Sequence, residues 1–388
     1  MKKRAGKILV AMSGGVDSSV AAALLARAGY DVTGAFMIQQ DNTDTPMYAN
    51  DADHADVNDS CWLSEYRDAL RVAAHLGIPL LKLDFTKEYE RLVLEYMFSE
   101  YRKGRTPNPD VLCNTYVKFG VWLDWALKNG FDNLATGHYA SIKTLQHKSI
   151  KAVNLIQAKD RNKDQTYFLH QLNQEQLSHV IFPIGHLLKS EVRSLAHKFG
   201  LPTAEKEESM GICFVGEVPM KEFLAKKIKM KPGNIVTTAG DDLGKHDGLP
   251  FYTIGQRHFG LKNRELRIKN QESKPLYIVE KRFLKNELVV GYADDSTLYK
   301  KEIVVNDLHW IAGRAPEFPL HCEVRLRHRQ PLQHCRIMNN ELGITVEFAA
   351  PQRAVTPGQF AVFYLPRRSG KAAKAGKDGE CLGGGVIK

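Results

Sequence analysis

A glycine-rich string near the start of the chain has the residues of a phosphate-binding turn. It reads Ser13-Gly14-Gly15-Val16-Asp17-Ser18-Ser19 and separates an apolar run from a segment rich in helix formers. Glycines permit a tight turn with exposed backbone N–H groups, and the start of a helix attracts anions. Asp17 is a candidate ligand for a Mg²⁺ ion that bridges phosphates. The string lacks the lysine that closes a Gly-x-x-x-x-Gly-Lys-Ser/Thr loop, so it predicts a different type of nucleotide site.

Two cysteines are candidates for sulfur chemistry. Cys113 ends the string Thr-Pro-Asn-Pro-Asp-Val-Leu-Cys, in which Asn108 is a plausible helix N-cap and Pro109 suits the first helical position. Asp110 and Cys113 then share one helix face. The helix N-terminus favours a thiolate at Cys113 whereas Asp110 opposes it, an arrangement that makes sense if Asp110 handles a substrate proton.

Cys213 lies between Gly211 and Gly216, after an acidic run. This pattern predicts a mobile loop whose thiol could carry sulfur. Taken alone, each of Cys113 and Cys213 is equally consistent with a structural cysteine.

The elements that position these residues alternate between strand and helix in the first half of the chain. The apolar runs predict strands at 7–12, 30–38, 80–85 and 133–136. Helical patterns occupy 18–28, 62–76 and 109–129. Such alternation predicts an α/β domain with a doubly wound parallel sheet, whose ligands bind beyond the carboxyl ends of the strands.

The sequence pattern changes after about residue 215, where residues typical of turns become frequent and short strand-like runs follow. We therefore predict a catalytic domain at 1–215, a small β-rich central domain at 216–297 and a C-terminal β-barrel at 298–388. In the run 322–329, Val324 and Leu326 alternate with three arginines, which predicts a basic strand face suited to phosphates; a merely solvated face is the alternative.

Composition narrows the function classes. Hydrophobic residues make up 43% and charged residues 25%, and no apolar run approaches the roughly 18–20 residues of a membrane helix. The basic start leads into an apolar run too short for a signal peptide, so we expect a cytoplasmic protein with no membrane partner. The net charge of +10 suits a polyanion such as RNA. Six sparse cysteines without a Cys-x-x-Cys pair do not form a disulfide framework.

The strings together resemble one family. The 13–19 loop resembles that of the ATP pyrophosphatases (PP-loop), and the two cysteine strings extend the resemblance to the tRNA-specific 2-thiouridylase (MnmA) family. The match runs over nearly the whole chain and includes the segments 13–19, 106–114, 135–139, 163–169, 211–216, 253–257, 356–359 and 381–385.

The resemblance implies that ATP adenylates the C2 oxygen of a wobble uridine and that sulfur replaces this oxygen. It implies catalytic roles for Cys213 as the persulfide carrier, Cys113 as the thiol that attacks or resolves, and Asp110 as the acid/base. A Cys113–Cys213 disulfide would then form and need reduction in each turnover. ATP and Mg²⁺ are the implied cofactors, with no tightly bound organic cofactor.

The resemblance also assigns binding residues by position. The ATP contacts are Ala11, Met12, Ser13, Gly14, Gly15, Val16, Asp17, Ser18, Met37 and Gly137. The contacts to the target base and tRNA are Asn108, Pro109, Asp110, His138, Lys163, Asp164, Gln165, Arg327, His328 and Gln359. The implied partners are a tRNA of the Lys, Glu or Gln type and a persulfide-carrying sulfur donor protein, and the implied state is a monomer.

Some features depart from the family or leave alternatives open. A basic stretch at 367–380 enlarges the usual hairpin before Cys381, and the acidic segment 39–60 has no assigned role. The pairs at 321–322 and 334–335 do not have zinc-ligand spacing. An iron–sulfur cluster held by Cys113, Cys213 and a third ligand stays open.

Two rival interpretations remain. A metabolite-forming ligase would share the 13–18 loop but needs neither the cysteine pair nor a basic barrel. A non-catalytic RNA-binding protein would not need an intact loop. Replacing Cys213 with Ser separates them, because only the thiolating enzyme should lose its activity.

Overall fold

A five-stranded parallel sheet forms the N-terminal part of the computed structural model, which describes residues 6–38, 62–147, 150–207, 220–259, 275–341, 343–366 and 379–388. Its strand order is β3-β2-β1-β4-β7. The strands are β1 (Lys7–Ala11), β2 (Asp31–Ile38), β3 (Leu80–Asp84), β4 (Asn133–Thr136) and β7 (Val180–Ile181). The order reverses between β1 and β4, which confirms the doubly wound sheet and places the 13–18 loop at its switch point.

Helices cover both faces of this sheet. The α-helices of the described residues are α1 (Val16–Arg27), α2 (Leu63–Leu76), α3 (Thr86–Tyr89), α4 (Glu95–Arg102), α5 (Pro109–Leu112), α6 (Trp122–Lys128), α7 (Thr166–Leu169), α8 (Gln174–Ser178), α9 (Lys189–Lys198) and α10 (Met220–Ala225). Of these, α1, α2 and α6 pack directly on strands of the sheet. Successive residues of β1 face opposite sides: Leu9 packs in one apolar cluster, and Ile8 and Val10 in the other. This burial on both faces explains why β1 is a continuous apolar run.

The helix predicted at 109–129 is present but is widened at its centre. A π-helical segment, Cys113–Val121, joins α5 to α6, and a second one, Glu90–Leu94, joins α3 to α4. Gln176 Nε2 donates hydrogen bonds to the carbonyl oxygens of Thr115 and Phe119, at 3.3 and 2.8 Å. A side chain from outside therefore satisfies carbonyl groups of the widened turn, a form often found at functional sites.

The central module is a four-stranded sheet with the order β10-β11-β8-β9. The strands are β8 (Gly233–Thr237), β9 (Asp242–His246), β10 (Tyr277–Arg282) and β11 (Glu287–Gly291). Its small core contains Ile235, Ile278 and Leu288, all fully buried.

Six antiparallel strands close into the predicted C-terminal barrel. They are β12 (Tyr299–Trp310), β13 (Leu320–Arg325), β14 (Gln333–Asn340), β15 (Gly343–Arg353), β16 (Phe360–Tyr364) and β17 (Glu380–Ile387). Pairing between β12 and β17 closes the ring.

A hairpin of the catalytic half, which the sequence analysis missed, extends the barrel sheet. Its strands are β5 (Ala140–His147) and β6 (Ile150–Gln157), and Leu155 of β6 pairs with Cys381 of β17. Tyr167, Phe360 and Tyr364 also pack in the same apolar cluster as the catalytic helices. The barrel and the catalytic half thus share a core. Among the described residues, no helix is long and apolar enough to cross a membrane.

Candidate active site

The 13–18 loop is held by its own hydroxyl groups. Ser18 Oγ accepts a hydrogen bond from Ser13 N at 3.2 Å and donates one to the Gly15 carbonyl at 3.1 Å. Ser19 Oγ donates to the same carbonyl at 2.7 Å. These bonds fix the turn between β1 and α1 and leave the start of α1 as an anion-binding end.

Two glycines of this site cannot carry a side chain. Gly14 has a φ of +72°, and a Cβ atom there would lie 2.2 Å from the Glu65 carbonyl oxygen. A Cβ atom on Gly137 would lie 2.6 Å from Ser18 N. Gly137, just after β4, therefore touches the start of α1, and the structure brings these two predicted ATP segments together. Met37 is buried near the end of the neighbouring strand β2.

Asp17 already has partners in the protein. Its Oδ1 accepts hydrogen bonds from Lys189 Nζ at 2.7 Å and from Tyr139 Oη at 2.9 Å. The ion pair neutralises the carboxylate that the sequence analysis offered to Mg²⁺. Lys189, at the start of α9, supplies a lysine that the loop itself lacks, and nothing local in the sequence links it to Asp17, 172 positions earlier.

A second lysine approaches the same loop. Lys206 Nζ donates hydrogen bonds to the Gly14 carbonyl at 3.2 Å and to Asp68 Oδ2 at 2.6 Å. Burial raises the pKa of neighbouring Glu65, an effect that the Lys206 charge opposes. The sequence analysis did not identify Lys189 or Lys206.

The 108–114 segment has the predicted local geometry. Asn108 Oδ1 accepts a hydrogen bond from Val111 N at 3.3 Å, and Pro109 is the first residue of α5, so the predicted cap is confirmed. Asp110 is half-buried, and desolvation raises the pKa of its carboxyl group, an effect that the charge of Lys118 opposes. Cys113 is buried at the first position of the π-helical segment.

A loop from the barrel clamps the chain just before this segment. Thr106 N donates to the Pro357 carbonyl at 2.9 Å, and Gln359 Nε2 donates to the Thr106 carbonyl at 2.8 Å. The hydroxyl of Thr253, from the central module, lies 3.4 Å from that of Thr106. All three parts of the protein meet at Thr106, two residues before the predicted base-contacting residues.

His138 lies beside this helix. Its Nδ1 is 2.7 Å from Thr136 Oγ1, and its ring lies 5.7 Å from that of Phe119 and 6.1 Å from that of Phe182. Burial lowers the pKa of His138 well below its usual value, and the charge of Lys118 lowers it further. His138 is therefore a neutral imidazole at physiological pH.

Asp164 does not face solvent, contrary to what a tRNA contact requires. Its side chain is 0% exposed and forms an ion pair with Arg325 at 3.0 Å. Its oxygens also accept hydrogen bonds from Gln157 Nε2, Ala158 N and Thr166 Oγ1. Each carboxylate oxygen has protein donors, so Asp164 has a structural role in this structure. Gln165 Oε1 likewise accepts from Tyr139 N at 2.9 Å, while Lys163 is half-buried beside them.

The predicted basic face of the 322–329 run is wrong for two of its three arginines. Arg325 is buried against Asp164. Arg327 Nη2 donates to the carbonyls of Ile254 and Ala354, at 3.0 and 2.8 Å, and to the Thr356 hydroxyl. It thus ties the central module to the barrel, and only Arg329 is exposed. His328 packs on Phe168 at 4.4 Å, and burial lowers its pKa to about 4.

Several predicted features lie outside the described residues. These are Cys213 with its loop, all of the 39–60 segment and most of the 367–380 segment. Cys322 and Cys335 are paired directly across β13 and β14, with their Sγ atoms 3.5 Å apart. Both cysteines are buried, whereas His321 and His334 are exposed. Neighbours on a strand face opposite sides of the sheet, so these four residues do not share a metal site.

Three families match successive parts of the chain. A family described as "tRNA methyl transferase HUP domain" matches residues 6–217, one described as "tRNA methyl transferase PRC-barrel domain" matches 221–292, and one described as "Aminomethyltransferase beta-barrel domain" matches 300–387. They agree with the three-part fold, while the boundaries at 215 and 297 stay predictions.

Full-length relatives give the family. The tRNA-specific 2-thiouridylase MnmA of Streptococcus sanguinis is 43% identical over 98% of this chain and 95% of its own. That of Lactococcus lactis subsp. lactis is 43% identical over 98% and 94%. A solved 4-thiouridine synthetase–RNA complex with bound ATP is 17% identical, covers 57% of this chain and 50% of its own, and has a TM-score of 0.32, which is too low to support an inference. By the extent and identity of the full-length matches, this chain belongs to the tRNA-specific 2-thiouridylase (MnmA) family.

Proposed function

We propose that this protein is an ATP-dependent tRNA-uridine 2-sulfurtransferase that converts the wobble uridine of tRNA to 2-thiouridine. The observation that carries the proposal is the 43% identity, over 98% of the chain, to proteins named tRNA-specific 2-thiouridylase. The grouping of the 13–18 loop with Gly137, and of Asp110 with Cys113, supports it.

The first step is adenylation of the base. The uracil C2 oxygen is a poor leaving group, so it attacks the α-phosphorus of ATP and pyrophosphate leaves. Backbone N–H groups of the 13–18 loop hold the pyrophosphate, and the ammonium groups of Lys189 and Lys206, each paired with a carboxylate, border the loop. As the bond to phosphorus forms, the proton on uracil N3 passes to the Asp110 carboxylate.

The second step is sulfur transfer. The terminal sulfur of a Cys213 persulfide attacks C2, and AMP leaves with the former C2 oxygen. The Cys113 thiolate then attacks the Cys213 Sγ, releasing the thiolated base and forming a Cys113–Cys213 disulfide. A thiol reductant restores the two thiols, and a persulfide-carrying donor protein recharges Cys213. This order requires the two Cα atoms to come within about 7 Å.

Mg²⁺ would enter with the phosphates of ATP. The Asp17 carboxylate fits poorly as a direct ligand because Lys189 already neutralises it. No step of the reaction is therefore assigned to a protein-bound metal.

The RNA contacts follow from position. Half-buried Lys163, His138 and His328 keep the contacts implied by the family, and exposed Arg329 is added as a phosphate contact. Gln359 acts through the clamp, because its amide nitrogen donates to the Thr106 carbonyl. Asp164, Gln165 and Arg327 act indirectly, by holding the surfaces that RNA meets. The expected substrate is a tRNA of the Lys, Glu or Gln type, bound by a cytoplasmic monomer with its target base flipped out.

The test is nucleoside mass spectrometry on unmodified tRNA incubated with the protein, ATP, Mg²⁺, a persulfide sulfur donor and a thiol reductant. Cys113→Ser and Cys213→Ser are run beside Cys335→Ala, which removes a buried thiol of the barrel. The wild type and Cys335→Ala should replace one oxygen by sulfur at the wobble uridine, and Cys113→Ser should not. If Cys213→Ser still thiolates tRNA with free sulfide, the role of Cys213 is limited to carrying sulfur. Release of AMP and pyrophosphate without a thiolated base would show that the proposed acceptor is wrong. The absence of ATP cleavage would refute the proposal that the protein is an enzyme of this class.

A further inference from the structure

A short chain of hydrogen bonds links Lys118 to the backbone of Asp110 at the start of the same helix. Its Nζ donates to Asn114 Oδ1 at 3.1 Å, and Asn114 Nδ2 donates to the Asp110 carbonyl at 2.9 Å. Asp110, Asn114 and Lys118 follow one another at intervals of four positions, so they line one face of the 109–128 helix. The predicted acid/base, Asp110, lies at the start of this face. Nothing in the family resemblance gave Lys118 a role.

The same lysine acts on His138 from the other side of the site. Phe119, the next residue, packs against the His138 ring at 5.7 Å. The charge of Lys118 contributes to the lowered pKa of His138, after burial. The charge of half-buried Lys118 thus acts both on the carboxyl group of Asp110 and on the imidazole of His138.

Charge placement around Asp110 makes Lys118 its main electrostatic partner. Desolvation raises the pKa of Asp110, and the opposing influence is the Lys118 charge. The neighbouring α7 has no charged residue. On α3 and the π-helical segment that follows it, Lys87, Glu90 and Arg91 are exposed and Glu88 is half-buried, and none of them contributes to the pKa shift of Asp110. Without a nearby cation, desolvation would raise the pKa of this carboxyl group further and leave less of it in the carboxylate form that accepts a proton.

We infer that Lys118 is a positioning residue for uridine thiolation, which keeps Asp110 in its carboxylate form so that it can take the proton from the target base. The inference rests on the proposed function. The N3 proton moves to Asp110 while the bond between the C2 oxygen and phosphorus forms and pyrophosphate leaves. Lys118 takes no part in this proton transfer, and no electron is transferred to it or from it.

The first test is the pH dependence of single-turnover thiolation in Lys118→Gln, Lys118→Arg and the control Lys128→Gln, which changes an exposed lysine of α6. Removal of the Lys118 charge should move the acid limb of the pH–rate profile to higher pH by about one unit or more. Lys118→Gln should therefore be about tenfold slower below both limbs and approach the wild-type rate at high pH. Lys118→Arg and Lys128→Gln should keep the wild-type limb.

A loss of rate that is the same at every pH, or no loss, would overturn the inference. The second test needs neither ATP nor tRNA. The Asp110 carboxyl group is titrated by ¹³C NMR in the labelled protein, with Asp110→Asn to assign the signal. The midpoint should rise in Lys118→Gln and not in Lys128→Gln, and an unchanged midpoint would contradict the role of Lys118. If the wild type does not thiolate tRNA at all, the proposed function fails, and this titration still decides whether Lys118 controls Asp110.

Discussion

Asp164 is the residue at which the family resemblance and the geometry disagree most sharply. The resemblance implies a contact to tRNA, whereas the structure buries the carboxylate completely against Arg325, which is itself 5% exposed. Asp164→Asn keeps the shape of the side chain but leaves the guanidinium group uncompensated. Removing one partner of a buried ion pair costs about 3–5 kcal/mol, so the free energy of unfolding should fall by that amount.

The assay is urea-induced unfolding followed by tryptophan fluorescence, with tRNA binding measured in parallel by fluorescence anisotropy. Arg325→Met should destabilise by a similar amount. The double variant should recover part of the loss, because it removes the uncompensated charge with its partner. Glu280→Gln is the control, since the Glu280–Arg282 pair is exposed and its removal should leave the unfolding midpoint almost unchanged. If Asp164→Asn unfolds at the wild-type urea concentration and loses tRNA binding, Asp164 contacts RNA and the structural reasoning is wrong.

Three further predictions concern the clamp, the phosphate loop and pH. Gly358→Ala should abolish most thiolation in the mass-spectrometric assay, because Gly358 has a φ of +89° and a Cβ atom there would lie 3.0 Å from Thr106 N. The control Gly130→Ala, at a φ of +81° with open space around it, should keep the activity and cost only about 1 kcal/mol of stability. Lys189→Met should raise the KM for ATP by about tenfold or more in a pyrophosphate-release assay, because it removes the charged partner of Asp17, a hydrogen bond worth about 1.5–3 kcal/mol. The control Lys198→Met, at the exposed end of the same helix, should leave the KM unchanged. Burial lowers the pKa of His170 to about 3, so its neutral form stabilises the fold above pH 6.5, and this contribution is lost as pH falls. The free energy of unfolding should therefore fall by about 1.4 kcal/mol per pH unit between pH 6.5 and 3 because of His170. His170→Asn should remove this slope, and an unchanged slope would contradict the assignment.

The parts of the fold that were predictable are those set by local spacing. The strand at 133–136 and the cap at Asn108 follow from apolar runs and from Asn-Pro chemistry a few residues long, and both are as predicted. The π-helical widening was not predictable, because it depends on Gln176, which reaches carbonyls some 60 positions earlier in the chain. Lys189 was missed for the same reason. An ion pair over 172 positions leaves no periodic signal.

The basic strand face shows where periodicity stops being informative. The strand β13 ends at Arg325, so its alternation does not extend to Arg327 and Arg329, and it does not say what covers the face on which Arg325 lies. In a free-standing barrel the outer face would meet solvent. Here the barrel also packs on the catalytic half through β6 and Tyr364, so Arg325 is enclosed and needs the Asp164 carboxylate.

The barrel also helps to place residues of the catalytic half. The 356–359 loop fixes both backbone groups of Thr106, and Arg327 fixes the Thr356 hydroxyl together with a carbonyl of the central module. The start of α5, and with it Asp110 and Cys113, is therefore placed by contacts from the other two parts of the chain. Under the proposed function, RNA bound to the barrel and the central module acts on the same contacts that place Asp110 and Cys113. The catalytic half holds the phosphate loop, whereas the contacts that hold Thr106 come from the barrel and the central module.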